Sequence, residues 1–63
     1  MNLGSKIRQH RRARDLTQEQ LGRKVGMTRA TINRIEKNKA DVVVSKLEKI
    51  AEVLGVPTAE LCS

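Results

Sequence analysis

Aromatic residues are absent from this 63-residue chain, and cysteine, proline and histidine occur once each. Without Phe, Tyr or Trp, the core must be built from aliphatic side chains. The single cysteine, Cys62, excludes an internal disulfide, which fits a reducing compartment. No apolar run approaches the length of a membrane span or a signal peptide. We therefore expect a cytoplasmic protein without a membrane partner.

The residues needed for catalysis or metal binding are also scarce. His10 is the only histidine, and no cysteine or carboxylate lies at a ligand spacing from it, whereas a metal site needs several such ligands. No Ser-His-Asp or Cys-His arrangement is visible, and a chain this short buries only a modest part of its surface. The sequence therefore predicts no metal, no cofactor and no enzymatic activity.

Positive charge is abundant and is concentrated in one part of the chain. The net charge is +6. Residues 1–40 carry eleven Lys or Arg and three acidic residues, whereas residues 41–63 carry two and four. A chain that is basic at one end and mildly acidic at the other indicates an oriented surface for a polyanion, and nucleic acid is the partner we expect. The alternative is a solvated face that happens to be basic.

Residues 17–37 organise the chain, and they begin with a short helix. Thr17 is followed three residues later by Gln20, which is the pattern of a capping box. Leu21 and Val25 are four residues apart, so they share one face. Gly26 is expected to end the helix, because glycine adopts the left-handed conformation at little cost.

A second short helix is predicted directly after that glycine. Thr28 is its expected N-cap, and Ile32 and Ile35 form its inner stripe. Its outer face carries small and basic side chains: Arg29, Ala30, Thr31 and Arg34. Arginine can pair with guanine edges, and Thr or Ala can contact a thymine methyl group, so this face suits the reading of bases.

This pattern resembles the helix-turn-helix of the Cro and phage-repressor family, which is also called XRE-like. The residues that carry the resemblance are Gln18, Gly22, Gly26 and the apolar positions Leu21, Val25, Ile32 and Ile35. The flanking segments IRQHRR, IEKNK and LEKIAEVLGV extend it over nearly the whole chain. The resemblance implies an all-α fold: a compact, five-helix, lambda-repressor-like domain over residues 1–63, with its helix-turn-helix at about 17–37.

The resemblance also implies a function and a set of site residues. The protein would bind double-stranded DNA in a sequence-specific manner as a transcriptional regulator, a repressor rather than an activator, with helix 29–37 in the major groove. The implied base contacts are Thr28, Arg29, Ala30, Thr31 and Arg34. The implied phosphate contacts are Thr17, Gln18, Lys37 and Lys39. Arg34 could equally bind a phosphate, and the two lysines could be ordinary exposed residues.

An ion pair between Arg11 and Glu36 is the main structural contact that the resemblance implies. It would join the first helix, which we predict from an Asn2 cap to about Arg14, to the reading helix. Glu36 directly follows the apolar Ile35, which favours a buried pair over two surface charges. At the turn positions where relatives usually carry glycine, this chain has Asp15 and Asn38, and both residue types tolerate the left-handed region.

The second half of the chain suggests a helix and an association surface. Ser45 and Glu48 form a second capping-box pattern, which predicts that the fourth helix begins at Ser45. A final short helix follows, with Leu61 tucked inward. Val42, Val43 and Val44 are consecutive β-branched residues, which favours an extended segment. One possibility is that Val44 packs into the core while Val42 and Val43 cover neighbouring residues. The other is that the segment is a self-association patch.

Useful specificity normally needs a dimer on a pseudo-palindromic operator. We expect a homodimer that is weak without DNA, and its candidate contacts are Val42, Val43, Val44 and Leu61.

Two other functions fit the same sequence. One is an antitoxin that binds DNA and a toxin partner, because the loop NKADVVVSKL is similar to loops in some antitoxin-like members. The other is a helical protein-interaction module that no longer binds DNA.

Overall fold

Five α-helices account for most of the chain in the computed structural model, which describes residues 2–62. They are α1 (Leu3–Ala13), α2 (Gln18–Val25), α3 (Arg29–Glu36), α4 (Val44–Leu54) and α5 (Thr58–Cys62). No strand occurs within the described residues. The five-helix, all-α prediction is confirmed, although α1 ends at Ala13 and α3 at Glu36, each one residue earlier than predicted.

The hinge between α2 and α3 has the caps that the sequence predicts. The Thr17 hydroxyl accepts the Gln20 backbone N–H at 3.0 Å, and the Gln20 side chain accepts the Thr17 N–H at 2.8 Å. Gly26 ends α2 with φ = 75°, a value that glycine adopts without strain. Thr28 then caps α3, accepting the Thr31 N–H at 3.2 Å. Side chains therefore satisfy backbone donors at the start of both helices of the motif.

The start of α4 differs from the prediction. The helix begins at Val44, and its N-cap is Val43, which has no oxygen to accept a backbone N–H. Ser45 lies inside the first turn, so the predicted capping box is wrong. Val44 is 69% exposed and does not pack inward, because the first turn carries its side chain to the surface. Val42 alone of the three valines packs against the core.

The core is entirely aliphatic and receives side chains from all five helices. Its buried members are Ile7, Leu21, Val25, Ile32, Ile35, Leu47, Ile50, Ala51, Leu54 and Leu61. Leu61 has no exposed surface, because α5 packs against α1 and α4. The predicted dimer contact at Leu61 therefore has no exposed side chain to offer, since that side chain packs inside the protomer.

Contacts of Gly4 and Asn38 fix α1 relative to α3, and the turns at Asp15 and Asn38 have the predicted conformation. Asp15 and Asn38 have φ values of 56° and 58°, as expected for the turn positions they occupy. The Asn38 side chain accepts the Gly4 N–H at 3.1 Å and donates to the Asn2 side chain at 2.7 Å. A Cβ atom at position 4 would lie 2.5 Å from the Ile35 carbonyl oxygen, so the two helices can meet here only because residue 4 is glycine.

Candidate nucleic-acid interface

The outer face of α3, formed by Arg29, Ala30, Asn33 and Arg34, is open. Arg29, Ala30 and Arg34 are exposed, and Asn33 is half-buried. Together with Gln18 these residues line a depression of about 360 Å³. No segment of residues 2–62 lies across this face, which is the geometry that a base-reading helix needs.

The two arginines on this face differ in their surroundings. The Arg29 guanidinium makes no hydrogen bond or ion pair with another of the described residues. Arg34 Nη2 donates to the Lys39 backbone oxygen at 3.3 Å, which draws its guanidinium toward the turn after α3. Arg29 therefore keeps all its donors for a ligand, whereas Arg34 is shared between the outer face and the turn.

The hydroxyl groups at the start of α3 are partly used within the protein. Thr28 is exposed and Thr31 is half-buried. Their Oγ1 atoms are 3.0 Å apart, and Thr28 Oγ1 also accepts the Thr31 N–H. The cap and the hydroxyl pair hold both side chains at the leading end of the helix, beside Arg29.

The predicted phosphate contacts lie on two sides of the outer face. Thr17 and Gln18 occupy the N-terminus of α2, where backbone N–H groups and the helix dipole favour an anion. Lys37 and Lys39 follow α3, and both are exposed. A second depression of about 590 Å³ adjoins the first group of residues, and its rim carries the exposed cations Arg8, Arg12 and Lys37.

Arg11 and Glu36 form a buried ion pair beneath this surface. Arg11 Nε donates to Glu36 Oε2 at 2.6 Å, and Arg11 Nη2 donates to Glu36 Oε1 at 3.0 Å. Arg11 Nη1 also donates to the Leu16 carbonyl oxygen at 2.7 Å. The two residues are 7% and 6% exposed. Two parallel bonds fix the angle between the planar groups and tie α1 to the end of α3.

Asn33 also lines this surface, and the sequence reasoning missed it. Its Nδ2 donates to Gln18 Oε1 at 3.4 Å, and Gln18 Nε2 donates to Glu36 Oε1 at 3.1 Å. Its place on the outer face could have been predicted from the sequence, because Asn33 is four residues after Arg29 and three after Ala30. Residues at those intervals share one face of a helix.

Other kinds of site find no support in the described part of the chain. Within residues 2–62, no three His, Cys, Asp or Glu side chains gather as a metal site. His10 Nε2 lies 3.5 Å from Glu60 Oε2, far from the outer face of α3, in the contact between α1 and α5. Cys62 is a free, exposed thiol. None of the helices here is both long and apolar enough to cross a bilayer.

Comparison with known proteins agrees with this geometry. A family model described as helix-turn-helix matches residues 7–61. The chain is 41% identical over 59 residues to the cryptic phage CTXphi transcriptional repressor RstR of Vibrio cholerae, covering 94% of this chain and 53% of RstR. It is 39% identical over 57 residues to an HTH-type transcriptional regulator of Methanocaldococcus jannaschii, covering 90% of this chain and 86% of that protein.

The chain spans 42% of the length of two other curated relatives that it matches. Among solved structures, the biofilm master regulator SinR in complex with DNA superposes with a TM-score of 0.89 at 27% identity, covering 97% of this chain and 98% of SinR. The fold is that of lambda- and P22-repressor-like domains. The chain therefore belongs to the helix-turn-helix family of Cro and phage-repressor type, whose members have a DNA-binding fold and include transcriptional regulators.

Proposed function

We propose that this protein is a sequence-specific regulator of transcription that binds double-stranded DNA and acts as a repressor in the cytoplasm, without enzymatic activity. The observation that carries the proposal is the open outer face of α3. The side chains that we propose as phosphate contacts lie before and after it in the motif. A helix with an apolar inner stripe and an uncovered basic outer face fits the major groove of B-DNA.

The proposed contacts follow from the exposure and partners of each side chain. Arg29 reads a base edge, because its guanidinium has no partner among the described residues and can form two parallel hydrogen bonds to guanine. Ala30 and the methyl groups of Thr28 and Thr31 contact thymine methyl groups or base edges beside it. Arg34 reaches either a base or a phosphate from its place near the Lys39 carbonyl.

The phosphate contacts set the register of α3 in the groove. Thr17 and Gln18 hold one stretch of backbone at the N-terminus of α2. Lys37 and Lys39 hold another beyond the end of α3. The ion pair of Arg11 and Glu36 stays inside the protein and keeps these two groups at a fixed separation.

One relative supports a repressor, and one solved structure of the same fold supports DNA binding. RstR is by name a phage transcriptional repressor, and it is 41% identical to this chain over 59 residues. The matching SinR structure is a complex with DNA. Occupation of an operator would block polymerase, so tight binding alone is enough for repression and no ligand pocket is required.

A homodimer on a pseudo-palindromic operator completes the proposal. One α3 touches only a few base pairs, so two copies on half-sites about one helical turn, roughly 34 Å, apart supply the specificity. The candidate contact is the valine patch, Val43 and Val44, which are 65% and 69% exposed. Two exposed valines are a small apolar area, which fits a dimer that is weak in solution and is strengthened by DNA.

Selection of binding sites from random duplexes tests the proposal. We expect one enriched sequence with two-fold symmetry, and binding that weakens steeply as salt rises while the preferred sequence persists. Arg29→Ala should relax preference at one or two base positions, at about 1–3 kcal/mol each. Lys37→Ala should weaken binding to all sequences alike.

The result that would contradict this proposal is the absence of any enriched sequence at low salt. The basic face would then serve a protein-interaction module that docks an acidic partner. A toxin that co-purifies with the protein would instead identify it as an antitoxin.

A further inference from the structure

Four polar side chains form a hydrogen-bonded chain from the interior to the outer face of α3. This amide chain consists of Arg11, Glu36, Gln18 and Asn33. Arg11 donates to Glu36 at 2.6 Å, Gln18 Nε2 donates to Glu36 Oε1 at 3.1 Å, and Asn33 Nδ2 donates to Gln18 Oε1 at 3.4 Å. The proposed function uses the first three residues, but it leaves Asn33 without a role.

The carboxylate at the inner end of the amide chain determines which way each amide faces. A carboxylate only accepts hydrogen bonds, so Gln18 turns its NH2 group toward Glu36. The Gln18 oxygen is then left facing Asn33, which must present its own NH2 group in turn. The two orientations of the Asn33 amide are therefore not equivalent, because only one of them completes the chain.

The Asn33 amide keeps one donor and one acceptor for a ligand. An asparagine amide has two N–H groups and one acceptor oxygen, and the bond to Gln18 uses a single N–H. The second N–H and Oδ1 make no hydrogen bond to another of the described residues. Asn33 is half-buried and lines the depression on the outer face of α3, between Arg29 and Arg34.

We propose that Asn33 reads an adenine in the major groove, an inference that rests on the function proposed above. Adenine presents an acceptor, N7, beside a donor, the N6 amino group, whereas guanine presents two acceptors, N7 and O6. The remaining N–H of Asn33 donates to N7, and Oδ1 accepts from the amino group. Cytosine and thymine each present a single hydrogen-bonding group there, so neither satisfies both atoms of the amide.

Gln18 couples this base contact to the DNA backbone. With one N–H on Glu36 and its oxygen on Asn33, Gln18 keeps a single N–H, and a phosphate oxygen only accepts. The same amide therefore binds a phosphate and orients the adenine reader. Loss of Gln18 weakens binding to every sequence and also frees the Asn33 amide to turn over, which reduces the discrimination for adenine.

Site selection with the full chain and three variants tests the inference. The unaltered chain should enrich an adenine at one position of each half-site. Asn33→Ala should lose discrimination at that position alone, by roughly 5- to 150-fold against the other bases. Asn33→Asp should shift the preference there toward cytosine, because a carboxylate accepts from the N4 amino group but cannot donate to N7. Gln9→Ala, an exposed amide on α1, is the matched control and should leave every position unchanged.

The outcomes separate this inference from the proposed function. If the unaltered chain enriches no sequence, the proposed function fails and the inference fails with it. If the unaltered chain enriches a site that Asn33→Ala reads with the same preferences, adenine reading by Asn33 is overturned while DNA binding stands. A uniform loss of affinity together with a lower melting temperature for Asn33→Ala would also overturn it, because that pattern reports a structural residue.

Discussion

At the scale of residues, Arg11 and Glu36 are the buried charged side chains of residues 2–62, and they pair with each other. The Arg11 side chain is 9% exposed and that of Glu36 is 2% exposed, so water cannot replace a lost partner. A buried charge without its partner is far more costly than the pair itself is stabilising. By contrast, the ion pair of Arg23 and Glu19 lies at the surface, with side chains that are 76% and 60% exposed.

Arg11→Ala should destabilise the domain even without DNA. The substitution leaves Glu36 charged and buried, and it removes the donor to the Leu16 carbonyl, which together should cost about 3–5 kcal/mol. Thermal unfolding followed by circular dichroism measures this directly. The matched control is Arg23→Ala, which should change stability by less than about 1 kcal/mol because its pair is in water. An Arg11→Ala melt that matches the unaltered protein would contradict a stabilising role for the pair.

Residue spacing predicted some of these contacts and missed others for physical reasons. Arg11 and Glu36 were paired through the family resemblance, since 25 residues separate them and periodicity relates only positions within one helix. Asn33 was missed because its partner, Gln18, lies on another helix. The outward direction of Asn33 could have been predicted from its interval to Arg29, but the bond between the amides could not.

At the scale of elements, the N-terminus of α4 is the least stabilised helix start among those with a defined N-cap. The other three N-caps, Asn2, Thr17 and Thr28, each accept a backbone N–H, whereas Val43 accepts none. The backbone at Val43 is already extended, with φ = −70° and ψ = 155°, which is the conformation that a capping residue requires. Only the side-chain oxygen is missing.

Val43→Ser should therefore stabilise the fold, by about 0.5–2 kcal/mol, by supplying that oxygen without moving the backbone. Chemical denaturation at low protein concentration measures the gain apart from any self-association. Ser45→Ala is the companion variant, because Ser45 lies within the helix and its hydroxyl caps nothing. It should change stability by no more than about 0.5 kcal/mol. A loss from Ser45→Ala as large as a missing cap would mean that α4 begins at Ser45 after all.

The elements with polar caps were the ones that the sequence predicted well. Asn2, Thr17 and Thr28 mark the starts of α1, α2 and α3, and Gly26 marks the end of α2. The N-cap of α4 was predicted at Ser45, two residues after the observed N-cap Val43. Ser45 has the hydroxyl of a capping residue, whereas Val43 has only the backbone conformation of one. A pattern that relies on side chains cannot detect an N-cap without an oxygen.

For the whole molecule, the size of the domain limits how two copies would share one operator. The Cα extents are 24 × 23 × 19 Å, and side chains extend these by a few ångströms on each side. Two such domains on half-sites roughly 34 Å apart would meet along a narrow contact. The valine patch is the exposed apolar surface available for it, because Val42 packs against the core and Leu61 has no exposed surface.

Val44→Ser should weaken binding to an operator with two half-sites without changing binding to a single half-site. Affinity for a single half-site should be unchanged, because Val44 lies off the outer face of α3 and the net charge stays the same. Affinity for two half-sites should fall roughly ten- to thirtyfold, since each of two symmetry-related valines contributes about 1 kcal/mol on burial. Titration of duplexes that carry one or two half-sites gives both values.

Ala59→Ser, an exposed small residue on α5, is the control for that experiment and should alter neither affinity. Equal affinity of Val44→Ser and the unaltered chain for the two-half-site duplex would exclude the valine patch as the contact. A loss on the single half-site would instead place Val44 against the DNA backbone.

The bonds from Asn38 to Gly4 and Asn2 have a practical consequence for anyone who prepares this protein. They hold the start of α1 against the turn that presents Lys37 and Lys39. A purification tag joined ahead of Asn2 would therefore emerge next to two proposed phosphate contacts, and a polyhistidine stretch there would crowd or imitate them. Fusion partners belong after α5, which packs on α1 and α4 and not on α3.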